Sequence, residues 1–354
     1  MLRFIAAAGL LAFAACASPH PPTDTAAAQA STSAWNKASL AEAVAYVQSQ
    51  KTTGFLIIQN EKTIAEHYWP LPDDAASQTL RANFVHGEQP NGALREDVAS
   101  QQKSLIALLV GVGVDKGLID IERPVSDYIG SRWSKATPEQ EGKITVRHLL
   151  EMNSGLKEDL TFDAPAGTKF FYNTPTYAKL KPVLEKAANQ QLYLLSQLWF
   201  TKISDMHSTG WEQRPAVFAD VGNPTGLVTT PRDLAIMGQI VLDRGRKPNG
   251  ARIISEAQLD AIFAPTSTNP AYGHLWWLNS SDYSINVGAT SPRREGRFIP
   301  AAPADTLSAL GAQDRKLFVV PSMKLIVVRT GQAAPDREFN NKLWQWLMKA
   351  APQH

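Results

Sequence analysis

The chain has 354 residues, enough for one large domain or two subdomains. Its apolar content of 44% and charged content of 19% are typical of a folded globular protein and exclude a disordered or fibrous chain. The formal net charge of +2 and the lack of any long basic run argue against a nucleic-acid partner.

The first 16 residues are organised as an export signal. Arg3 is followed by an apolar stretch over residues 4–15 that is too short to span a bilayer. Cys16, the only cysteine, follows small residues, which predicts a bacterial lipoprotein tethered to a membrane through lipidated Cys16; ordinary cleavage after residue 17 is the alternative. Either way we expect an exported protein, periplasmic or membrane-anchored. Residues 17–34 predict a flexible linker, which leaves 35–354 as the folded domain.

The next segments predict short, regular elements. Apolar spacing predicts a helix over residues 40–50. Two β-rich runs over 54–59 and 63–69 predict a hairpin. An irregular polar stretch then leads to Arg95.

Residues 98–110, VASQQKSLIALLV, are the most informative stretch. Ser100 and Lys103 are three residues apart, so a helix would turn both toward the same side. Burial at the start of an apolar helix lowers the pKa of a lysine, which can then take the proton of a nearby serine. This predicts a Ser-x-x-Lys nucleophile, although an N-cap serine is the alternative explanation of Ser100. Ser154 and Lys157 have the same spacing, but their surroundings indicate a loop.

The rest of the chain is first helical and then β-rich. Helices are predicted from Thr145 to Gly155 and over 177–188, and Thr230 is the predicted cap of another. After residue 270 the pattern predicts strands over 272–278, 284–287, 306–310, 316–320 and 325–330, then a closing helix over 339–350. We therefore expect an α+β fold: an antiparallel sheet from both chain ends flanked by helices, with a mainly helical second subdomain at roughly 120–265.

In this order the segments resemble the serine β-lactamase and penicillin-binding-protein superfamily. The nearest branch is that of the class C β-lactamase-like esterases, D-aminopeptidases and 6-aminohexanoate-dimer hydrolases. The blocks that carry the resemblance are 98–104, 117–120, 144–156, 166–172, 226–235 and 272–277.

The resemblance implies roles for further residues. Tyr172 would be the catalytic tyrosine beside Ser100 and Lys103. The superfamily's Tyr-x-Asn motif departs here, because Thr174 stands at the amide position and Asn173 is one position away. The third-motif strand would be Ala309, Leu310 and Gly311, an uncharged version; Arg329-Thr330-Gly331 is the alternative. The backbone N–H groups of Ser100 and Ala312 would form the oxyanion hole.

The residues expected to line a substrate pocket are Asn173, Thr174, His274 and Trp276. Trp276 and Trp277 alternate along a strand, so only one of them can face the pocket. We expect a serine hydrolase that acts on small ester or amide substrates and needs no cofactor, and the histidine spacing shows no zinc site. The alternatives are a non-catalytic penicillin-binding or sensor protein with a degraded site, and a weak class C-type β-lactamase.

Overall fold

A computed structural model describes residues 34–219, 222–288 and 291–352. The predicted signal segment, Cys16 and all but the last residue of the predicted linker lie outside these ranges. Within them, no helix is both long and apolar enough to cross a membrane.

The described strands and helices follow one another in short segments. The strands are β1 (Thr52–Gln59), β2 (Lys62–Tyr68), β3 (Val85–Glu88), β4 (Leu94–Asp97), β5 (Gly210–Gln213), β6 (Thr225–Thr229), β7 (Trp277–Leu278), β8 (Tyr283–Ile285), β9 (Arg293–Glu295), β10 (Leu307–Gly311), β11 (Arg315–Val320) and β12 (Leu325–Gly331). The helices are α1 (Lys37–Ser49), α2 (Ala75–Phe84), α3 (Gln102–Asp115), α4 (Ser126–Ile129), α5 (Pro138–Glu141), α6 (Val146–Leu150), α7 (Thr174–Ala178), α8 (Leu180–Ala188), α9 (Leu192–Ser196), α10 (Ala216–Ala219), α11 (Pro231–Leu242), α12 (Glu256–Ile262) and α13 (Phe339–Ala350).

The main sheet joins the two ends of the chain. Its six strands have the order β2-β1-β12-β11-β10-β7, and all neighbouring strands are antiparallel. This confirms the predicted α+β class and the origin of the sheet from both chain ends.

The two faces of the sheet pack against different helices. Along β1, Phe55 and Ile57 belong to a core with residues of α1 and α13, whereas Leu56 belongs to a core with α3 and α11. This alternation follows from the two-residue period of a strand. The helix that follows Ser100 is therefore buried between the sheet and the helical region.

A second sheet connects the helical region to the main one. Its order is β3-β4-β6-β5, and β5 and β6 lie within the segment predicted as helical. β4 ends at Asp97, three residues before Ser100, and pairs with β6. The second sheet therefore fixes the strand that delivers Ser100.

Three local predictions were wrong. Residues 70–95 are not irregular, because Asp74 caps α2 through a hydrogen bond from the Ser77 N–H at 2.7 Å and two short strands follow. The helix that begins after Thr145 ends at Leu150, since Met152 has a left-handed φ of 57°. Leu275, with a φ of 58°, breaks the predicted strand 272–278, so that only its last two residues form β7.

Candidate active site

Ser100 lies at a sharp turn from strand to helix. The Val98 N–H donates to the carbonyl of Leu227 at 2.9 Å, which holds the end of β4. Ala99 has a left-handed φ of 50°, and its N–H donates to Asp97 Oδ1 at 2.8 Å. A single 3₁₀ turn then leads into α3. Ser100 is thus partly exposed, and the helix that follows it is buried, as its apolar run predicts.

Lys103 is buried directly behind the serine. Its side chain is 2% exposed, and its Nζ lies 3.0 Å from Ser100 Oγ and 3.3 Å from Thr174 Oγ1. Burial lowers the pKa of Lys103 to about 7, and the positive charge of Arg214 acts in the same direction. A substantial fraction of the lysine is therefore neutral near pH 7, a form that can accept a proton.

Tyr172 completes the group. Lys103 Nζ lies 4.9 Å from the centre of the Tyr172 ring, on its face. Burial raises the pKa of Tyr172 to about 12, although contact with the Ser100 hydroxyl acts in the opposite direction. The phenol therefore keeps its proton near neutral pH. The structure brings together the three side chains that the resemblance selects, and burial shifts the pKa of Lys103 down and the pKa of Tyr172 up.

β10 flanks the turn that carries Ser100. Gln101 Nε2 donates to the Ala309 carbonyl at 3.2 Å. A Cβ on Gly311 would lie 2.3 Å from the Val98 carbonyl oxygen, so only glycine permits this approach. Arg329-Thr330-Gly331 lies in β12, which β11 separates from β10, so it is not the strand beside the serine.

A cavity of about 400 Å³ opens at the serine. Its lining contains no charged side chain among the described residues and consists of Ser100, Tyr172, Trp277, Asn286, Val287, Phe298, Leu310, Gly311 and Ala312. Trp277 stacks between two rings, with centroids 6.0 Å from Tyr172 and 4.7 Å from Phe298. The cavity thus joins the nucleophile to an aromatic wall.

None of the four expected pocket residues lines this cavity. Trp276 is 0% exposed behind the site, and its Nε1 donates to the Ser104 carbonyl at 3.2 Å, so Trp277 is the tryptophan that lines the cavity. His274 is buried, with Nε2 3.7 Å from Glu151. Asn173 caps α7 and donates to the carbonyls of residues 156 and 157. The fourth, Thr174, contacts Lys103 rather than the cavity.

Other residues of the cavity were missed. Asn286, Val287 and Phe298 come from the segment around β8 and β9, where the sequence shows no motif. The Ser154 alternative is not supported, because Ser154 Oγ accepts from the Leu156 N–H at 3.4 Å within a turn rather than opening a helix.

Size alone would select a different cavity. A larger one, of about 800 Å³, lies around Lys181 and contains none of Ser100, Lys103 and Tyr172. Lys181 Nζ is already bonded to Asn223 Oδ1, Thr225 O and Thr225 Oγ1, at 2.6, 2.8 and 2.8 Å. The smaller cavity is therefore the candidate active site, because it contains the reactive groups.

Residues 40–350 match the β-lactamase family. A 6-aminohexanoate-dimer hydrolase from Paenarthrobacter ureafaciens is 23% identical over 286 residues, covering 65% of this chain and 65% of that protein. A class C β-lactamase from Rhodobacter sphaeroides has a similar structure, with a TM-score of 0.60 and 14% identity over 89% of this chain and 99% of that chain. A β-lactamase from Mycobacterium bovis has a TM-score of 0.60 and 16% identity over 88% of this chain and 100% of that chain. Because the family match spans most of its length, the chain belongs to the β-lactamase family, within the serine β-lactamase and penicillin-binding-protein superfamily.

Proposed function

We propose that the protein is a serine hydrolase that cleaves ester or amide bonds through an acyl-enzyme on Ser100. The observation that carries the proposal is the 3.0 Å approach of the buried Lys103 amine to Ser100 Oγ. A lysine with a pKa of about 7 is a competent proton acceptor for a serine hydroxyl. The hydrolase relatives in the β-lactamase family support the same class of activity.

In the proposed reaction, Ser100 Oγ attacks the carbonyl carbon while its proton passes to Lys103 Nζ. Ser100 and Ala312 both line the cavity, and in this proposal their backbone N–H groups hold the developing oxyanion. Tyr172, which is protonated at the start, donates its phenol proton to the leaving alcohol or amine. It is then reprotonated by Lys103, which carries the proton taken from Ser100. Water then attacks the acyl-enzyme and releases the acid, which restores Ser100.

The lining of the cavity indicates a substrate with a neutral, apolar acyl group. Ala309 stands at the third-motif position where the resemblance implies a cation for a substrate carboxylate, and the cavity beside it is lined by Leu310 and by the stacked rings of Trp277 and Phe298. A ring or alkyl chain gains from burial against such a wall, whereas an unpaired carboxylate would lose hydration there. One relative is named for an amide substrate outside the β-lactams, which supports a substrate class other than the β-lactams. We further propose, from the sequence alone, that Cys16 is lipidated and tethers an exported enzyme to a membrane.

The decisive variant is Ser100→Ala. We expect its turnover of neutral p-nitrophenyl esters to fall by at least about a thousand-fold, because the nucleophile is lost. Ser154→Ala, which changes the other Ser-x-x-Lys serine, is the matched control and keeps wild-type turnover. Wild-type turnover in Ser100→Ala would refute the proposal.

A labelling experiment distinguishes the alternatives. A fluorophosphonate should form an adduct on Ser100 of the wild-type protein but not of Ser100→Ala. A protein that forms neither this adduct nor a hydrolysis product would be the non-catalytic sensor. Cephalosporin turnover above ester turnover would instead identify a weak β-lactamase.

A further inference from the structure

We infer that Arg315 is a positioning residue that holds the oxyanion-hole turn at Ala312 in register with Ser100. This inference rests on the proposed acyl-enzyme chemistry. Arg315 does not line the cavity, so it acts through the backbone it holds and not on the substrate.

The turn that carries Ala312 is strained. It joins β10 to β11 through residues 312–314, and Gln313 and Asp314 have φ values of 63° and 54°. Residues other than glycine adopt this left-handed region at a cost, and here two occur in succession. A strained turn persists only where surrounding contacts determine its conformation. Such contacts should therefore be found around the turn.

Two buried arginines supply those contacts. Arg315 Nη1 donates to the Ala312 carbonyl at 3.2 Å. Arg329 Nη1 donates to the Gln313 and Asp314 carbonyls at 2.7 and 3.1 Å. All three carbonyls of the turn thus accept from guanidinium groups, and both arginine side chains are fully buried.

Arg315 also reaches the segment that carries the nucleophile. Its Nη2 donates to Glu96 Oε2 at 2.7 Å, and both side chains are 0% exposed. Glu96 lies in β4, four residues before Ser100, and accepts from Thr53 Oγ1 at 2.5 Å on its other oxygen. One guanidinium therefore connects the strand before Ser100 to the turn at Ala312.

This connection matters because the two oxyanion donors come from separate segments. The Ser100 N–H follows β4 in the second sheet, whereas the Ala312 N–H follows β10 in the main sheet. Donors lower the barrier only when both reach the position that the oxyanion will occupy, and errors of about half an ångström already reduce catalysis. The rigid, planar guanidinium of Arg315 bridges the two segments and fixes their relative position. A lysine cannot make the same bridge.

The test compares Arg315→Lys with wild type on a neutral p-nitrophenyl ester. Lysine keeps a positive charge beside Glu96 but cannot bond both Glu96 and the Ala312 carbonyl. We expect kcat to fall by about 10- to 100-fold and KM to stay within about two-fold of wild type. The fall in kcat should not exceed the effect of removing one oxyanion donor completely. Affinity for a boronic acid that forms a tetrahedral adduct on Ser100 should fall in proportion to kcat. The acidic limb of the pH profile should stay in place, because Lys103 is untouched.

The control is Arg232→Lys, which changes an exposed arginine paired with Glu66 at 2.6 Å and should alter none of these quantities. If Arg315→Lys does not fold, Glu96→Asp, which shortens the same bridge, replaces it with the same expectations. Wild-type kcat in a folded variant, or a loss carried by KM with unchanged boronate affinity, would overturn the inference. Absence of ester turnover and of Ser100 labelling in the wild type would instead refute the proposed function.

Discussion

At the scale of single residues, the proposed chemistry depends on one buried amine. Lys103 is buried against the rings of Tyr172 and Tyr177, and among the described residues its hydrogen-bond partners are two hydroxyls, Ser100 Oγ and Thr174 Oγ1. Thr174 occupies the position where the superfamily has an amide, and its hydroxyl oxygen accepts from Lys103. The site therefore keeps a partner for the lysine despite the changed motif.

The lowered pKa of Lys103 predicts the pH dependence of activity. The neutral amine is the acceptor, so kcat/KM should rise with pH and reach half its maximum near pH 7, where Lys103 loses its proton. Below that pH, Lys103 is an ammonium group and cannot accept another proton. The value of kcat/KM should therefore fall tenfold for each pH unit. The profile of ester hydrolysis between about pH 5 and pH 9 measures this.

Lys181 provides the control for that profile. Burial, with the charge of Arg214, lowers its pKa to about 6, but it lines a different cavity. Lys181→Met should leave the limb near pH 7, whereas Lys103→Arg, which stays charged, should abolish turnover. A flat profile through pH 7 would contradict the role of Lys103.

The same scale shows what the sequence could and could not determine about the site. The spacing of Ser100 and Lys103 predicted that they face each other because a helical turn fixes that distance, but Ser154 and Lys157 share the spacing, and only the apolar run after Ser100 favoured the first pair. The choice between Trp276 and Trp277 required the register of the chain, since a shift of one residue exchanges the two faces of a strand. Arg315 and Arg329 each have a partner more than 200 residues away in the sequence. Their other partners lie in a turn that forms only when the chain folds, so no local sequence pattern reports these contacts.

At the scale of elements, the close packing of β10 against the Ser100 turn is the decisive contact. Gly311→Ala would place a Cβ 2.3 Å from the Val98 carbonyl oxygen, and backbone on both sides cannot yield easily. We expect a loss of about 1–3 kcal/mol in the free energy of unfolding and a fall in kcat, because β10 and Ala312 must move away from Ser100. Denaturant unfolding and ester kinetics measure the two effects.

Gly210→Ala is the matched control for that substitution. Gly210 also lies in a strand, but an added Cβ would meet only Arg95 Nη2, at an ordinary 3.5 Å. It should change kcat little. Equal kinetics for Gly311→Ala and wild type would mean that the approach of β10 to the Ser100 turn is not needed for turnover.

Elements were predictable where caps or long apolar patterns marked them. Thr230 caps α11 through the Asp233 N–H at 3.3 Å, with proline in the first turn, and α13 has the predicted bounds 339–350. β3, β4, β5 and β6 have four or five residues each, too few for a period to be distinguished from chance. Their pairing into the second sheet is therefore determined by tertiary contacts rather than by local sequence patterns.

At the scale of the whole molecule, two separate hydrophobic cores cover the opposite faces of the main sheet, and one of them supports the candidate active site. One core joins α1 and α13, from the two chain ends, to the face formed by Phe55, Ile57 and Phe318. The other core contains Val98 and α3, which support Ser100. A change deep in the first core should therefore alter the free energy of unfolding without altering the site.

Trp344→Ala tests this separation. Trp344 is fully buried on α13, and its ring packs edge-on against Phe318 with centroids 5.4 Å apart. Removing it should lower the free energy of unfolding by about 3–5 kcal/mol through lost burial and the cavity left behind. The kcat of the protein that remains folded should equal that of wild type, because the sheet lies between Trp344 and Ser100.

Trp346→Ala is the control, because Trp346 lies on the half-buried side of the same helix. It should lower the free energy of unfolding by less than Trp344→Ala does. Denaturant unfolding followed by far-ultraviolet circular dichroism, whose signal does not depend on the tryptophans, gives the free energy of unfolding. Ester kinetics at denaturant concentrations below the unfolding transition give kcat. A kcat that falls together with stability would show that the two cores are coupled through the sheet.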